Sequence, residues 1–261
     1  MNSLILQKQE EVITLAQFDI KDAVLKKCLL KEDETVITVP DGVTTIGKDA
    51  LCGLQSVIAV TLPESLKVIN DGAFYGCSSL TSVTLPGSVE RLGSCAFAQC
   101  SALNTIYLDN KLTEIGNSAF WGCTSLESID IPAGVTKIGY NLFGSCLSLI
   151  SVSLPDTVTE LDERAFKECT SLACITLPDS LIKIGNMAFL NCYNLKSVNI
   201  PDRLESIGEK AFFMCESLHE LEIPDGIASV GGDAFSDCVS VTVRSTISGK
   251  PLYKAVTATD G

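Results

Sequence analysis

Apolar and polar positions follow a pattern that restarts every 23 residues along most of the chain. In the segment LTSVTLP, which begins at Leu80, apolar Val83 and Leu85 flank polar Thr84. This alternation predicts a strand with one face buried, and the proline that follows ends it, because proline has no N–H to donate to a neighbouring strand. A second short extended piece spans 89–92. Each repeat therefore predicts two short strands.

A corner and a tight turn complete each repeat. Glycine follows the second extended piece in most rows, with Asn70 and Asp162 as exceptions. These residue types tolerate positive φ, which indicates a tight corner. Ala96, Phe97 and Cys100 are spaced at i, i+1 and i+4, which favours a single helical or 3₁₀ turn.

Fixed apolar columns run through nine rows between residues 34 and 240, without insertion or deletion. One column is phenylalanine: Phe74, Phe97, Phe120, Phe143, Phe166, Phe189, Phe212 and Phe235. Such a period indicates a solenoid, in which each coil buries its apolar side only against its neighbours. We expect nine stacked coils in a right-handed superhelix, with parallel strands about 4.8 Å apart.

The repeat suggests three regions. A solenoid is predicted for residues 36–243, preceded by an N-terminal segment with cap strands over 1–35. Solenoid ends need a cover because they expose apolar core and unpaired strand edges. The pattern fails at Arg244, so 244–261 is expected to form a short cap and tail. The candidate cap residues at the other end are Phe18, Ile20, Val24, Leu25 and Leu29.

The row L-x-x-V/I-x-L/I-P-x-x-V/L-x-x-I-G-x-x-A-F-x-x-C-x-S-L resembles the BspA-like class of leucine-rich repeat, type 5. Ile115-Gly116, Ala119-Phe120 and Cys123 carry the features that mark this class. The resemblance implies a leucine-rich-repeat solenoid of a kind often found on the surface of bacteria and some protozoa. Such proteins serve adhesion and protein–protein binding.

Composition narrows the choice of partners. The net charge of −13 predicts an acidic surface that repels nucleic-acid phosphates and anionic lipid. No apolar run approaches the roughly 18 residues of a membrane-spanning helix. The start, MNSLILQKQEE, lacks the long apolar stretch of a secretory signal, so the chain is expected to be cytoplasmic or already processed. The family resemblance implies the cell surface instead.

Eight of the twelve cysteines lie one period apart. They are interpreted as buried thiols packed beside the phenylalanines. Disulfides between neighbouring coils are disfavoured because parallel Cβ vectors do not suit the bridge. A metal site is also disfavoured, because these cysteines lack clustered spacing and a histidine partner. Outside the column are Cys28, Cys52, Cys95 and Cys174, of which Cys95 or Cys174 is a candidate reactive thiol.

No motif suggests catalysis. The single histidine, His219, lies in a variable column beside Glu220 and Glu222, and neither a phosphate-binding loop nor a G-x-S-x-G elbow is present. We expect no catalytic residue, cofactor or metal. Four aspartates follow the prolines of successive rows: Asp156, Asp179, Asp202 and Asp225. They are interpreted as turn residues, and the alternative is a site for Ca²⁺ or for a basic partner.

Two sets of variable positions are candidates for partner binding. One is a line along the outward face of the strands, formed by Thr61, Thr84, Tyr107, Asp130, Ser153, Thr176, Asn199 and Glu222. The other is a cluster of Leu190 and Phe213 with Met187, Tyr193 and Met214, interpreted as half-buried side chains or as an apolar patch for a partner or self-association.

The leading hypothesis is therefore a non-enzymatic module that binds a protein partner. The alternative is a cell-surface adhesin, or a carbohydrate- or matrix-binding fragment of a larger exported protein. An enzyme ranks third.

Overall fold

The structure is a computed structural model that describes residues 16–30, 34–219 and 221–238. An antiparallel hairpin of β1 (Gln17–Lys21) and β2 (Val24–Leu29) comes first. The coils follow, and most contribute two strands. The first strands are β3 (Val36–Thr38), β5 (Ala59–Thr61), β7 (Ser82–Thr84), β9 (Thr105–Tyr107), β11 (Ser128–Asp130), β13 (Ser151–Ser153), β15 (Cys174–Ile175) and β17 (Ser197–Val198). The second strands are β4 (Thr45–Ile46), β6 (Val68–Ile69), β8 (Arg91–Leu92), β10 (Glu114–Ile115), β12 (Lys137–Ile138), β14 (Glu160–Leu161), β16 (Lys183–Ile184), β18 (Ser206–Ile207) and β19 (Ser229–Val230).

Coil 1 contains β3 and β4, coil 2 contains β5 and β6, and so on to coil 9, which contains β19. Wherever strands of neighbouring coils pair, they run parallel and in register, one repeat apart. The core is one continuous column of buried apolar side chains. The predicted nine-coil solenoid of short parallel strands is confirmed.

The N-terminal hairpin covers the first coil. Strand β2 pairs in parallel with β4, which places Leu25 beside Ile46, and both side chains are fully buried. Ile20 and Leu29, also predicted for the cap, are exposed. The boundary at residue 35 stays a prediction. The predicted cap over 244–261 and the start of the chain, on which the signal-peptide argument depends, lie outside the described residues.

Each coil turns back through tandem β-turns, so the predicted helical or 3₁₀ turn is wrong. In coil 2, the N–H of Cys77 donates to the Phe74 carbonyl at 3.2 Å, and Gly76 between them has a φ of 70°, as in a type II turn. The N–H of Phe74 donates to the Ala96 carbonyl of coil 3 at 2.8 Å. A helix would direct such N–H groups to carbonyls of its own turn.

The interpretation of the glycine corner was also wrong. Positive φ recurs two and six residues after the corner, at residues as large as Arg164 and Met187, while the corner glycines themselves do not have it. Glycine is favoured there because the coils approach closely, although Asn70 and Asp162 show that a coil can adapt to a side chain. A Cβ on Gly116 or Gly208 would lie within 3.0 Å of backbone atoms of the preceding coil.

Stacked phenylalanines form the centre of the core. The ring centroids of successive coils lie 4.9–6.0 Å apart, with interplanar angles of at most 15°. The column cysteines are buried free thiols beside these rings. Cys123 Sγ donates to the Phe97 carbonyl at 3.2 Å, and this carbonyl also accepts the Cys100 N–H. The thiol thus supplies a second donor to a buried carbonyl. Of the other cysteines, Cys28 is buried, Cys95 is half-buried, and Cys52 and Cys174 are exposed.

We predict that Phe143→Ala lowers the free energy of unfolding by about 3–5 kcal/mol, through lost burial and the cavity left behind. The Phe143 ring stacks on Phe120 at 5.7 Å and on Phe166 at 5.4 Å. Urea denaturation measures the loss. Tyr107→Ala, at an exposed position, serves as the control and is expected to change stability by about 0.5 kcal/mol or less. Similar losses for both variants would contradict the core assignment.

We predict that stability falls steeply as the pH rises above about 9. Burial raises the pKa of the Cys123 and Cys192 thiols to about 12, whereas an unfolded thiol titrates near 8.5. Between these values the unfolded chain binds fewer protons than the native one, so each such thiol removes about 1.4 kcal/mol per pH unit. Below about pH 8 these thiols are protonated in both the folded and the unfolded chain, so their contribution to stability is fully present. Urea denaturation from pH 7 to 11 should show a shallower decline for Cys123→Ala, and an unchanged slope would refute the buried-thiol account.

Candidate binding surface

The outward side of the first strands forms the predicted contact line. All eight predicted residues of this line are exposed: Thr61, Thr84, Tyr107, Asp130, Ser153, Thr176, Asn199 and Glu222. The alternate strand residues, such as Ile106 and Ile129, point into the core. Coils 2 to 9 therefore each expose one variable residue at this position, although Thr176, Asn199 and Glu222 lie outside the assigned strands. A role of this line in binding stays a prediction.

Tyr107 is the most prominent side chain of the strand line. It is 68% exposed, the largest value among the exposed large apolar side chains of the described chain. In the sheet it pairs with Thr84 of coil 3, and Asp130 holds the equivalent position in coil 5. Because both neighbours are small, the aromatic ring projects from the strand face.

Asn199 has an internal role that sequence reasoning did not anticipate. Its side-chain amide accepts from the Leu177 N–H at 2.7 Å and donates to the Leu177 carbonyl at 2.8 Å. It thereby takes the place of a backbone peptide group beside coil 7. Both polar groups of the Asn199 side chain are thus engaged within the solenoid.

The second predicted cluster is mostly half-buried. Leu190, Phe213 and Met214 are of intermediate exposure, and Tyr193 is exposed to 37%. This burial agrees with the interpretation that the side chains lie against their neighbours. Tyr193 nevertheless remains an accessible aromatic side chain of the cluster.

Several exposed apolar residues were missed by the sequence analysis, among them Ile58, Leu147 and Ile150. Leu147 and Ile150 are 42% and 55% exposed. They interrupt columns that hold mainly serine, threonine and other polar residues, and Leu147 shares its column with Tyr193. Apolar residues in otherwise polar columns were the available signal.

The second strands carry a column of alternating charge. Arg91 pairs with Glu114 at 3.0 Å, and Glu160 pairs with Lys137 at 3.1 Å and with Lys183 at 2.5 Å. Partial burial opposes ionisation of Glu160, but hydrogen bonds from Lys183 and Lys137 outweigh it and lower the pKa of this carboxyl. These solvent-exposed pairs each contribute little to stability. They occupy a different strand from the predicted contact line.

The four stacked aspartates are exposed residues of β-turns. In three successive coils the residue three positions after the proline donates its N–H to the proline carbonyl at 3.0 Å, for example Val158 to Pro155. The part of the chain that the structure describes contains no group of three or more acidic, cysteine or histidine side chains arranged to hold a metal. The turn interpretation accounts for the aspartates. His219 is exposed, and its Nδ1 lies 2.8 Å from the Ser217 carbonyl.

The chain matches one family model and several solved structures. The model, described as BspA type leucine rich repeat region (6 copies), matches residues 19–150 and 137–250. No curated protein gives a significant match. The described residues include no helix long and apolar enough to span a bilayer.

Three solved leucine-rich repeat proteins share the fold. A leucine-rich repeat protein from Bacteroides ovatus is 23% identical, with a TM-score of 0.65 over 89% of this chain and 81% of its own. A leucine rich cell surface protein from Faecalibacterium prausnitzii is 26% identical, with a TM-score of 0.55 over 87% and 86%. A leucine rich repeat protein of T. pallidum is 27% identical, with a TM-score of 0.51 over 87% of each chain. Since the family model also spans the nine stacked coils, the chain belongs to the BspA-type leucine-rich repeat family.

Proposed function

We propose that the chain is a non-enzymatic binding scaffold that holds a protein partner on the outward face of its first strands. The observation that carries this proposal is the exposure of Tyr107 at the middle of a line of variable side chains. The inward columns are constrained by stacking, so a partner reads only the outward positions. Aromatic residues at the centre of an interface commonly supply most of its binding energy.

The close packing behind Tyr107 in coils 3 and 4 supports this role. The residues behind it, Ile106 and Val83, are almost completely buried, and their strands pair in register. Side chains on such a backing lose little conformational freedom when a partner docks, which favours affinity. The mixture of small polar, aromatic and acidic side chains suits a protein interface.

A second candidate is adhesion at a cell surface. It is favoured by the likeness to the Faecalibacterium protein, which is described as a leucine rich cell surface protein. In this case the partner would be a host matrix protein or a surface glycan, and the same strand face would make the contact. Binding tests therefore need matrix extracts as well as lysate.

We predict that Tyr107→Ala weakens partner retention at least about tenfold, because truncation of a central aromatic commonly costs 2 kcal/mol or more. The immobilised wild-type chain and this variant are incubated with native lysate and with extracellular-matrix extract, and retained proteins are quantified by mass spectrometry. Melting of the variant is expected to stay near that of the wild type.

Tyr75→Ala is the matched control, because Tyr75 is also an exposed tyrosine but lies in the turn of coil 2, away from the strand line. Proteins retained by the wild type and by Tyr75→Ala but lost with Tyr107→Ala support the proposal. Equal retention by all three chains would show that the partner does not use the strand line.

We propose further that any self-association runs through the Leu190 and Phe213 cluster. Phe213→Glu is then expected to abolish the rise of molar mass with concentration in light scattering, since a carboxylate would be desolvated at the contact. A thermal melt checks that this half-buried position tolerates the change. A wild-type chain that stays monomeric throughout, or a Phe213→Glu variant that associates equally, would refute this role.

A further inference from the structure

The strand pairing is interrupted between coil 4 and coil 5. At the other glycine corners the N–H donates to the preceding coil, as in Gly116 to Leu92 and Gly185 to Leu161, both at 2.8 Å. In the described chain, no such bond joins Gly139 to Ile115. The second strands β10 and β12 are not paired, and this is the one gap between second strands in the described coils. The first strands β9 and β11 form no ladder either, as is also true of β13 and β15, but the Glu127 N–H still donates to the Asn104 carbonyl at 3.5 Å.

On the strand side, side-chain bonds that link some other coils are also absent from the described part of this junction, although Cys146 Sγ donates to the Phe120 carbonyl on the turn side. The hydroxyl of Thr113 donates to the Glu90 carbonyl and that of Thr159 to the Thr136 carbonyl. Thr136 itself makes no equivalent bond to coil 4 within the described residues. The alternating charge column is interrupted at the same place, because Lys137 pairs with Glu160 and Asp162 of coil 6, at 3.1 and 2.9 Å.

The junction is less closely packed than the others at the ends of its second strands, β10 and β12, although a Cβ on Gly134 before β12 would lie 2.7 Å from the Leu112 carbonyl oxygen. Ile115 is 9% exposed, whereas its equivalents from Ile46 to Ile207 are at most 2% exposed. A Cβ on Gly139 would meet only the side-chain oxygen of Asn117 at 2.8 Å, and the next atom lies at 3.9 Å. At Gly208 the backbone of the preceding coil fills the same space.

The turn side of this junction remains connected. The N–H groups of Ser118 and Phe120 donate to the Tyr140 and Leu142 carbonyls at 2.9 and 3.1 Å. The Phe120 ring also stays parallel to its neighbour in coil 5. The turn edge of the interface is thus intact, while the second strands of the two coils are not bonded to each other.

We propose that the solenoid is hinged between coils 4 and 5, with the tandem turns and the phenylalanine stack as the hinge and the second strands, β10 and β12, as the edge that opens and closes. Closing would bring Glu114 of coil 4 beside Lys137 of coil 5, which are opposite charges at equivalent positions of the repeat. This inference does not depend on the proposed function.

Amide hydrogen exchange of the full chain, measured by NMR at neutral pH, tests the hinge. The Gly139 amide is expected to exchange at least about tenfold faster than those of Gly116, Gly185 and Gly208, which have the same preceding isoleucine. The Phe120 amide should stay as protected as those of other coils. Equal protection at the four glycines would overturn the proposal, and so would fast exchange at Phe120, because the coils would then separate along both edges.

Alanine variants provide an independent test. Gly139→Ala is expected to leave Tm unchanged or to raise it by about 1–2 °C, since alanine restricts the unfolded chain and its Cβ would displace only the movable end of the Asn117 side chain. Gly208→Ala should lower Tm by about 4 °C or more, because its Cβ meets backbone. Asn70 and Asp162 show that a coil can adapt to a Cβ at this position, but the backbone before Gly208 is close-packed. Equal losses in both variants would mean that the junction is closed in solution.

Discussion

In-register stacking of identical backbone paths is the constraint on which the structure depends. A residue such as Phe97 lies directly against its equivalents one repeat before and after it, so an inward side chain must suit a copy of itself. Phenylalanine meets this condition by parallel stacking, and cysteine meets it as a small donor for the buried phenylalanine carbonyl. An insertion of a single residue would displace both columns at once.

Much of this architecture could be predicted because the period is visible in the sequence itself. The inward direction of Val83 and Leu85 and the outward direction of Tyr107 follow from alternation alone, and the structure agrees. Partial burial of Leu190 and Phe213 was one of two open interpretations. A variable column shows which residues differ between coils, but it does not show how deeply their side chains are buried.

The errors have a common physical cause. The spacing of Ala96, Phe97 and Cys100 suits a helical turn as well as tandem β-turns, since it reports side-chain direction and not the destination of the N–H groups. The Phe97 N–H donates to the Ala119 carbonyl of the next coil, whereas those of Ala96 and Cys100 donate within their own coil, and local spacing cannot show this difference. The glycine corner was misread for the same reason, because the atoms that exclude a Cβ belong to another coil. The interruption between coils 4 and 5 was likewise invisible in a repeat of constant length.

Contacting residues of neighbouring coils have a uniform separation along the sequence, and this has a consequence for how the chain folds. Hydrogen bonds between coils join residues about one repeat apart wherever they lie, as for Ser101 and Ser78, which are 23 positions apart. In a chain of 261 residues this corresponds to a relative contact order of roughly 0.1, in the range of fast-folding helical bundles, although the structure is made of strands. The loop to be closed has the same length everywhere, so nucleation can begin at any adjacent pair of coils and spread in both directions. The weak junction between coils 4 and 5 would then be where that spread slows, which makes two folding units of one continuous array.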